Sequence, residues 1–490
     1  MSPRTISLTI ALLLTAGVAL AQPEVEWERT YDNYSGSAFC SSFLKKEDGF
    51  ILAGYGDLGE AEYRNAWLMS TDGEGNTDWL NTYGTDGLDG CYSLIQIADG
   101  NFVLAGALDR FDIHGVDGWL VGTNDVGDSL WSRTYGGRHT EYFSSCIQTT
   151  DGGFASVGST SNDSAGQAGY RKFLLVYTDS NYDSLWSHVF GGDRDNLCHS
   201  IIETNDGGFA LAGSTTSFGS GHYDFWLIKT DENGDSLWSF TFGGGDFDLC
   251  RSMIQTADGG FALAGTTNSF GVGGSDFWLM KTNSNGDSLW SRTYGGGGED
   301  ECFTILQTND GGLVLGGSST SFGVGNRDFW LLRSDINGDS LWSQTIGTRG
   351  DEQCYSALQT TDNGFAMAGY TQDLGPGNAA HIYLVKTTPD PVTVRNSDPV
   401  HPSSLILHPS FPNPFNSMVT IPFGLDKSAP TRLAIFDPLS RRIADVIPSQ
   451  VMSAGSHSVV WNANAFPAGS YLVRLESGSQ SLTQPIRLVK

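Results

Sequence analysis

The chain has 490 residues, with 27 Lys and Arg against 55 Asp and Glu, 63 Gly and 13 Trp. Its 39% hydrophobic and 12% aromatic content is too apolar for a disordered chain. A formal charge of −28 repels phosphate backbones and anionic lipid, which opposes nucleic-acid binding and basic-patch membrane docking and leaves cationic ligands, metal ions and neutral glycans open.

Residues 1–21 place Arg4 before an apolar run that ends in Ala19-Leu20-Ala21. This pattern predicts a secretory signal cleaved before Gln22. Ser7, Thr9 and Thr15 interrupt a run already shorter than the roughly twenty apolar residues of a membrane span. A lipid anchor would need Cys after the cleavage site, and the first is Cys40. No later segment reads as an integral membrane segment.

From Trp27 the chain repeats. Trp27, Trp79, Trp131, Trp186, Trp238, Trp290 and Trp342 stand 52, 52, 55, 52, 52 and 52 residues apart. Each interval holds four short β-type runs, such as WSFTF, CRSMIQT, FALAG and DFWLMKT, separated by Asx-Gly turns where positive φ is cheap. Four antiparallel strands per unit, seven times, predict an all-β fold: a seven-bladed β-propeller over residues 22–388. The chain opens on the last element of a unit, around Trp27, and its seventh unit lacks that element. The N-terminal strand is therefore expected to complete blade seven and remove an exposed edge.

A second aromatic column, Trp67, Trp119, Trp226, Trp278 and Trp330 with Leu174 and Tyr383 in register, is expected to pack between blades. The seven cysteines, Cys40, Cys91, Cys146, Cys198, Cys250, Cys302 and Cys354, recur once per unit and read as one repeat position holding buried free thiols. No CxxC or mixed Cys/His spacing suggests zinc.

Acidic residues precede each innermost strand. Asp246, Asp248, Glu299, Asp300, Glu301 and Asp351 are the ligand-binding candidates, at the mouth of a central channel if the Cys strand lies innermost. The DxNGDS turns, as at Asp231 to Asp235, resemble half of a calcium loop but lack its distal Glu, and a hairpin already explains them. Calcium is the one cofactor with any sequence support. The signatures GxSxG, HExxH and the P-loop are absent, and no catalytic residue is assigned. The loops after FxLAG vary most between units, and unit three, with Tyr170, Arg171, Lys172 and Tyr177, departs furthest.

At Thr387 the composition changes. Residues 389–406 are Pro-rich and read as a linker. Residues 22–390 hold 18 basic and 50 acidic residues, so the acidity belongs to the propeller, whereas the tail is net positive. The tail, 407–490, alternates as strands and predicts a small immunoglobulin-like β-sandwich. Its PNPFN segment (Pro412, Asn413, Pro414, Phe415, Asn416), the PAGSYLVRL segment with Gly469 and Tyr471, and a terminal RLVK ending at Lys490 resemble the carboxyl-terminal sorting domain of type IX secretion substrates, which is similar to FlgD-like modules. The resemblance implies secretion by the type IX machinery, with release or retention at the outer cell surface. The repeats likewise resemble bacterial propeller repeats with a DGGFxLAG core, a resemblance that implies architecture and no defined activity.

Together these observations predict a secreted, monomeric, non-catalytic binding or adhesion propeller for an extracellular glycan or protein. The alternatives are a polysaccharide lyase or hydrolase using channel-mouth carboxylates, and a structural surface component.

Overall fold

The computed structural model describes residues 22–32, 36–57, 64–110, 115–137, 139–161, 169–372, 379–391, 405–407, 418–425, 427–438, 441–453, 455–463, 465–478 and 480–488. The expected signal over 1–21, most of the expected linker, and Pro412, Asn413, Pro414, Phe415, Asn416 and Lys490 lie outside the described residues.

Every described regular element is a strand. Seven four-stranded antiparallel sheets follow one another as blades: residues 38–83, 90–135, 140–190, 196–242, 248–294, 300–346, and 352–387 together with 25–31. Blade four shows how a unit forms. Its second and third strands, Phe209–Thr215 and Asp224–Thr230, are buried along their whole length because neighbouring blades cover both faces. The outer strand, Ser236–Phe242, is mostly exposed. The innermost strand, Asn196–Glu203, alternates. Apolar FALAG and DFWL runs inside, with LWS alternation outside, express this gradient from axis to rim. Innermost strands of adjacent blades adjoin all the way round, so the Cys strand does line the axis.

The ring closes as expected. Val25–Tyr31 pairs antiparallel with His381–Thr387, with Trp27 opposite Lys386 and Tyr31 opposite Ile382. Lys386 then holds Glu26 on the closing strand and Asp362 on its own blade.

The cores lie between blades. Phe173 meets Trp226 at 4.6 Å between ring centroids, Phe225 meets Trp278 at 4.5 Å, Phe277 meets Trp330 at 4.4 Å and Phe329 meets Tyr383 at 5.1 Å. The outer Trp column works differently, against the turn after the third strand of the next blade. A Cβ at Gly75, Gly127, Gly234, Gly286 or Gly338 would collide with the preceding blade's Trp, and each of these glycines has φ near +80°. In blade three Tyr182 takes that position at φ 69° and stacks on Trp131 at 3.6 Å. Tyr31, Tyr83, Tyr135 and Tyr294 add hydroxyl donations, of 2.5–2.8 Å, to the carbonyls of the same turns. Blade seven has no such turn, and there Asp390 receives the Trp342 Nε1–H at 3.0 Å. Asp390 also pairs with fully buried Arg333 at 3.1 Å.

All seven cysteines are buried free thiols, but one correction applies. Cys40, Cys91, Cys198, Cys250, Cys302 and Cys354 share a position opposite the glycine of FxLAG. In blade three Phe143 faces that glycine, Gly158, and Cys146 falls three residues later, opposite Ser156. Burial raises all seven thiols, to about 12 for Cys91, Cys146 and Cys354.

Beyond the ring, two sheets share one apolar core. One orders Ile406–Leu407, Met418–Leu425 and Gly455–Asn462; the other orders Arg442–Met452, Ala429–Phe436, Gly469–Ser477 and Gln480–Leu488. Val419, Phe423, Ile435, Trp461, Val473 and Ile486 meet between them. Tyr471 packs on Trp461 and donates its hydroxyl to the Pro467 carbonyl at 2.5 Å, while Gly469 opens its strand.

Candidate functional site

The acidic candidates separate by burial. Asp248 and Asp300 are fully buried. Asp248 accepts from Thr267 Oγ1, Gly244 N and Ser269 Oγ; Asp300 accepts from Ser319 Oγ, Gly296 N and Ser321 Oγ. Each carboxylate thus braces its own loop. Asp246 and Glu299 are exposed on the rim: the Asp246 N–H donates to Ser269 Oγ, and Glu299 accepts from Ser275 Oγ at 2.7 Å. Asp351 lies in a bridge to Arg327. Among the six, Glu301 stands beside the channel residues described below.

Asp248 and Asp300 belong to a recurring buried arrangement at the seams between blades. Asp117 neighbours Glu141, Asp224 neighbours Asp248, Asp276 neighbours Asp300 and Asp328 neighbours Glu352, each pair flanking one glycine: Gly136, Gly243, Gly295 or Gly347. Burial foremost, and then Asp248, pushes Asp224 up to about 7; burial and then Asp300 push Asp276 up to about 6. Among the described residues, the buried Oδ1 atoms of Asp224, Asp276 and Asp328 have no hydrogen-bond donor. At the seam of blades one and two, Asn65 takes the place of the first acid, opposite Asp89 across Gly84. An amide carries a permanent N–H donor and no charge, where a carboxyl must be protonated to donate.

The DxNGDS turns spend their side chains on backbone. Asp231 Oδ1 accepts from Asn233 N and Asp235 N, each at 2.9 Å. Asn124 and Asn283 make the same contacts in their own blades, so the role needs an oxygen and no charge.

The residues flanking the shared Cys position converge on the axis. Their rings form one continuous arc. Phe303 of blade six touches Tyr355 of blade seven at 5.2 Å, Tyr355 touches Tyr370 at 5.9 Å, and Tyr370 touches Phe39 of blade one at 5.1 Å. Phe39 continues to Tyr55 at 5.2 Å, Tyr55 to Tyr92 of blade two at 5.7 Å, and Tyr92 to Tyr142 of blade three at 6.4 Å. The arc is a horseshoe over five blades, and all seven rings are half-buried.

His199 of blade four and Arg251 of blade five fill the gap. Arg251 Nη1 lies 3.2 Å from His199 Nε2, and the guanidinium sits 5.7 Å over Phe303. Burial, then Arg251 and Arg171, draw His199 well below its usual 6.5. Glu301 accepts from Arg327 and, at 2.9 Å, from Gln353, whose Oε1 takes the Tyr355 hydroxyl at 2.9 Å. Arg171, on the third strand of blade three, pairs with Asp195 at the entry to blade four at 3.1 Å, and Tyr177 of the same strand donates to Asp151 at 2.5 Å, so both residues of unit three are engaged. Sequence reasoning missed the horseshoe. Its available signal was that the two positions around the Cys differ from unit to unit: Phe39 and Ser41, Leu249 and Arg251, Glu301 and Phe303.

Comparison with known proteins bears on both parts of the chain. Residues 410–489 match the model of the secretion system C-terminal sorting domain. The regulatory protein FlaEY of Caulobacter vibrioides is 26% identical over 245 residues, which are 47% of this chain and 23% of that protein. The chain therefore spans about a quarter of that curated relative. Among solved structures, a fungal alcohol oxidase in complex with copper aligns with a TM-score of 0.44 and 11% identity over 96% of this chain and 100% of its own. The acylaminoacyl peptidase of Pyrococcus horikoshii aligns with a TM-score of 0.42 and 10% identity over 80% of this chain and 59% of its own. Neither structural likeness carries chemistry to this chain.

Proposed function

We propose, for a chain that carries a type IX secretion sorting domain at its carboxyl end, that the ring is a secreted, non-catalytic binding propeller which grips an extracellular glycan on its axial horseshoe. The continuous aromatic arc is the observation that carries this reading. Ring faces in a half-buried channel offer flat apolar platforms edged by hydroxyls, which suit the alternating C–H and O–H faces of a sugar. The sorting domain implies the type IX machinery as partner and secretion, with the outer cell surface as a place of retention. Residues 22–388 would form the binding unit, 389–406 the tether and 407–490 the exported address, with Gly469 and Tyr471 holding the tail's fold.

A second reading is cleavage of the glycan, because His199, Arg251, Tyr142, Tyr355 and Glu301 gather at one place. Their contacts favour binding. The His199 lone pair is spent on Arg251, Glu301 is held by Arg327 and Gln353, and burial raises Tyr355 far from neutral.

The test incubates the mature protein with a polysaccharide panel and reads retained ligand and new chain ends by mass spectrometry. Retention without new ends, reduced about tenfold or more in a Tyr92→Ala, Tyr142→Ala double variant, is expected. New chain ends would overturn the non-catalytic reading; undiminished retention in the double variant would move the site elsewhere.

A further inference from the structure

The open side of the horseshoe holds a guanidinium that forms no ion pair among the described residues. It belongs to Arg251, which is half-buried and whose described polar contact is His199. The other charged groups around it are matched: Glu301 with Arg327 and Arg171 with Asp195. The guanidinium lies between His199 of blade four and the ring of Phe303 of blade six. An imidazole nitrogen that accepts from a guanidinium carries no proton, so His199 is neutral and adds no charge. Arg251 therefore stands at the open side of the aromatic arc, and Arg64, 4.7 Å over Tyr55, is a second guanidinium on the arc with no ion pair among the described residues. A guanidinium removed from bulk water without a counter-ion is the ordinary site for a planar anion.

We infer that the axial horseshoe takes a saccharide bearing a carboxylate, a uronic acid residue, and that Arg251 is the specificity-determining residue that pairs with it. The inference rests on the proposed glycan-binding function and adds the ligand's charge. The sugar ring lies against the aromatic arc, and its carboxylate accepts from the guanidinium in the gap. Binding is carried by this local match, against the long-range field of an acidic ring, and is therefore expected to survive moderate salt, which screens that repulsion.

Calorimetric titration of the full secreted chain with a galacturonate trimer and a neutral galactose trimer tests the inference. The acidic trimer is expected to bind roughly tenfold tighter or more, the scale of one charge-assisted hydrogen bond. Arg251→Gln should abolish that preference, bringing the two trimers' affinities within about twofold of each other. Arg251→Lys, which keeps charge but loses the planar fork, should retain part of it. A preference unchanged in Arg251→Gln, or tighter binding of the neutral trimer by the native chain, overturns the inference and leaves the glycan-binding reading standing. Failure of both trimers to bind overturns the inference, and the polysaccharide panel then decides the glycan-binding reading separately. Melting curves of the variants guard against loss of fold, and Arg251→Lys remains informative if Arg251→Gln unfolds.

Discussion

The seams between blades and the channel at their centre are made from the same strands, yet they follow opposite rules. Along the seams each blade repeats its neighbour: a Phe against a Trp, an outer Trp against a turn glycine, an acid beside an acid. At the axis every blade departs, contributing Phe39, Tyr92, Tyr142, His199, Arg251, Phe303 or Tyr355 from equivalent or adjacent positions. Recurrence in this molecule marks what holds the ring together, and departure from recurrence marks what the ring holds.

Substitutions on the two sides should separate stability from binding. Trp278→Ala empties a seam where the side chain is 3% exposed, and a loss of about 3–5 kcal/mol is expected in denaturant unfolding. Tyr142→Ala, at the half-buried axis, should cost no more than about 1 kcal/mol while weakening glycan retention about tenfold. A Tyr142→Ala protein as unstable as Trp278→Ala would erase the distinction.

The acid pairs sharpen it further. Asp224 ordinarily titrates at 3.8 and in the seam at about 7, so between those values the folded chain keeps a proton that the unfolded chain has released. That contribution to stability is full at low pH and is lost as pH rises through about 7. Asp224→Asn installs a permanent donor, as Asn65 does opposite Asp89. The variant is expected to melt about 2 °C above the native chain at pH 8 and no higher at pH 4. Asn65→Asp should do the reverse, lowering the melting temperature at pH 8 and leaving it unchanged at pH 4. A lower melting temperature of Asp224→Asn at pH 8, together with stabilisation of the native chain by calcium, would instead make the seam a cation site.

The smallest effect is expected at the DxNGDS turns. Asp231→Asn copies what Asn124 and Asn283 already do, so its unfolding free energy should stay within about 0.5 kcal/mol and show no dependence on added calcium. A calcium-dependent difference between Asp231→Asn and the native chain would return the turn to the list of metal sites.

How much of this was legible follows from the same contrast. Blade number, closure by Val25–Tyr31 and the buried Trp column could be read because each signal repeats with a fixed period. Cys146 was misplaced because its 55-residue distance from Cys91 equals the length of the longer unit, whereas Phe143 and Gly158 keep the 52-residue step from Cys91 and Gly106 and the three extra residues fall between Gly158 and Leu174. Asp248 and Asp300 were weighed as ligand groups because acidic side chains before a strand ordinarily face water; these turn inward because loop donors await them. The horseshoe escaped because its aromatic members stand at different positions of the repeat and lie up to 331 positions apart, from Phe39 to Tyr370. Only the wrapping of the chain makes them neighbours.

Asp390 has a mechanical consequence. It is among the last described residues before the chain leaves the ring, and it is clasped by Arg333 and Trp342 of blade six and by its own N–H to the Asn363 carbonyl. The strand just before it, His381–Thr387, is flanked on one side by the closing strand. If the tail is fixed to a surface and the channel holds a polymer, tension between them enters the ring at this residue. The load would meet an ion pair with a fully buried guanidinium before it reaches any β-ladder, and the ladders behind it would be loaded along their length, in shear, so the closing strand need not unzip first.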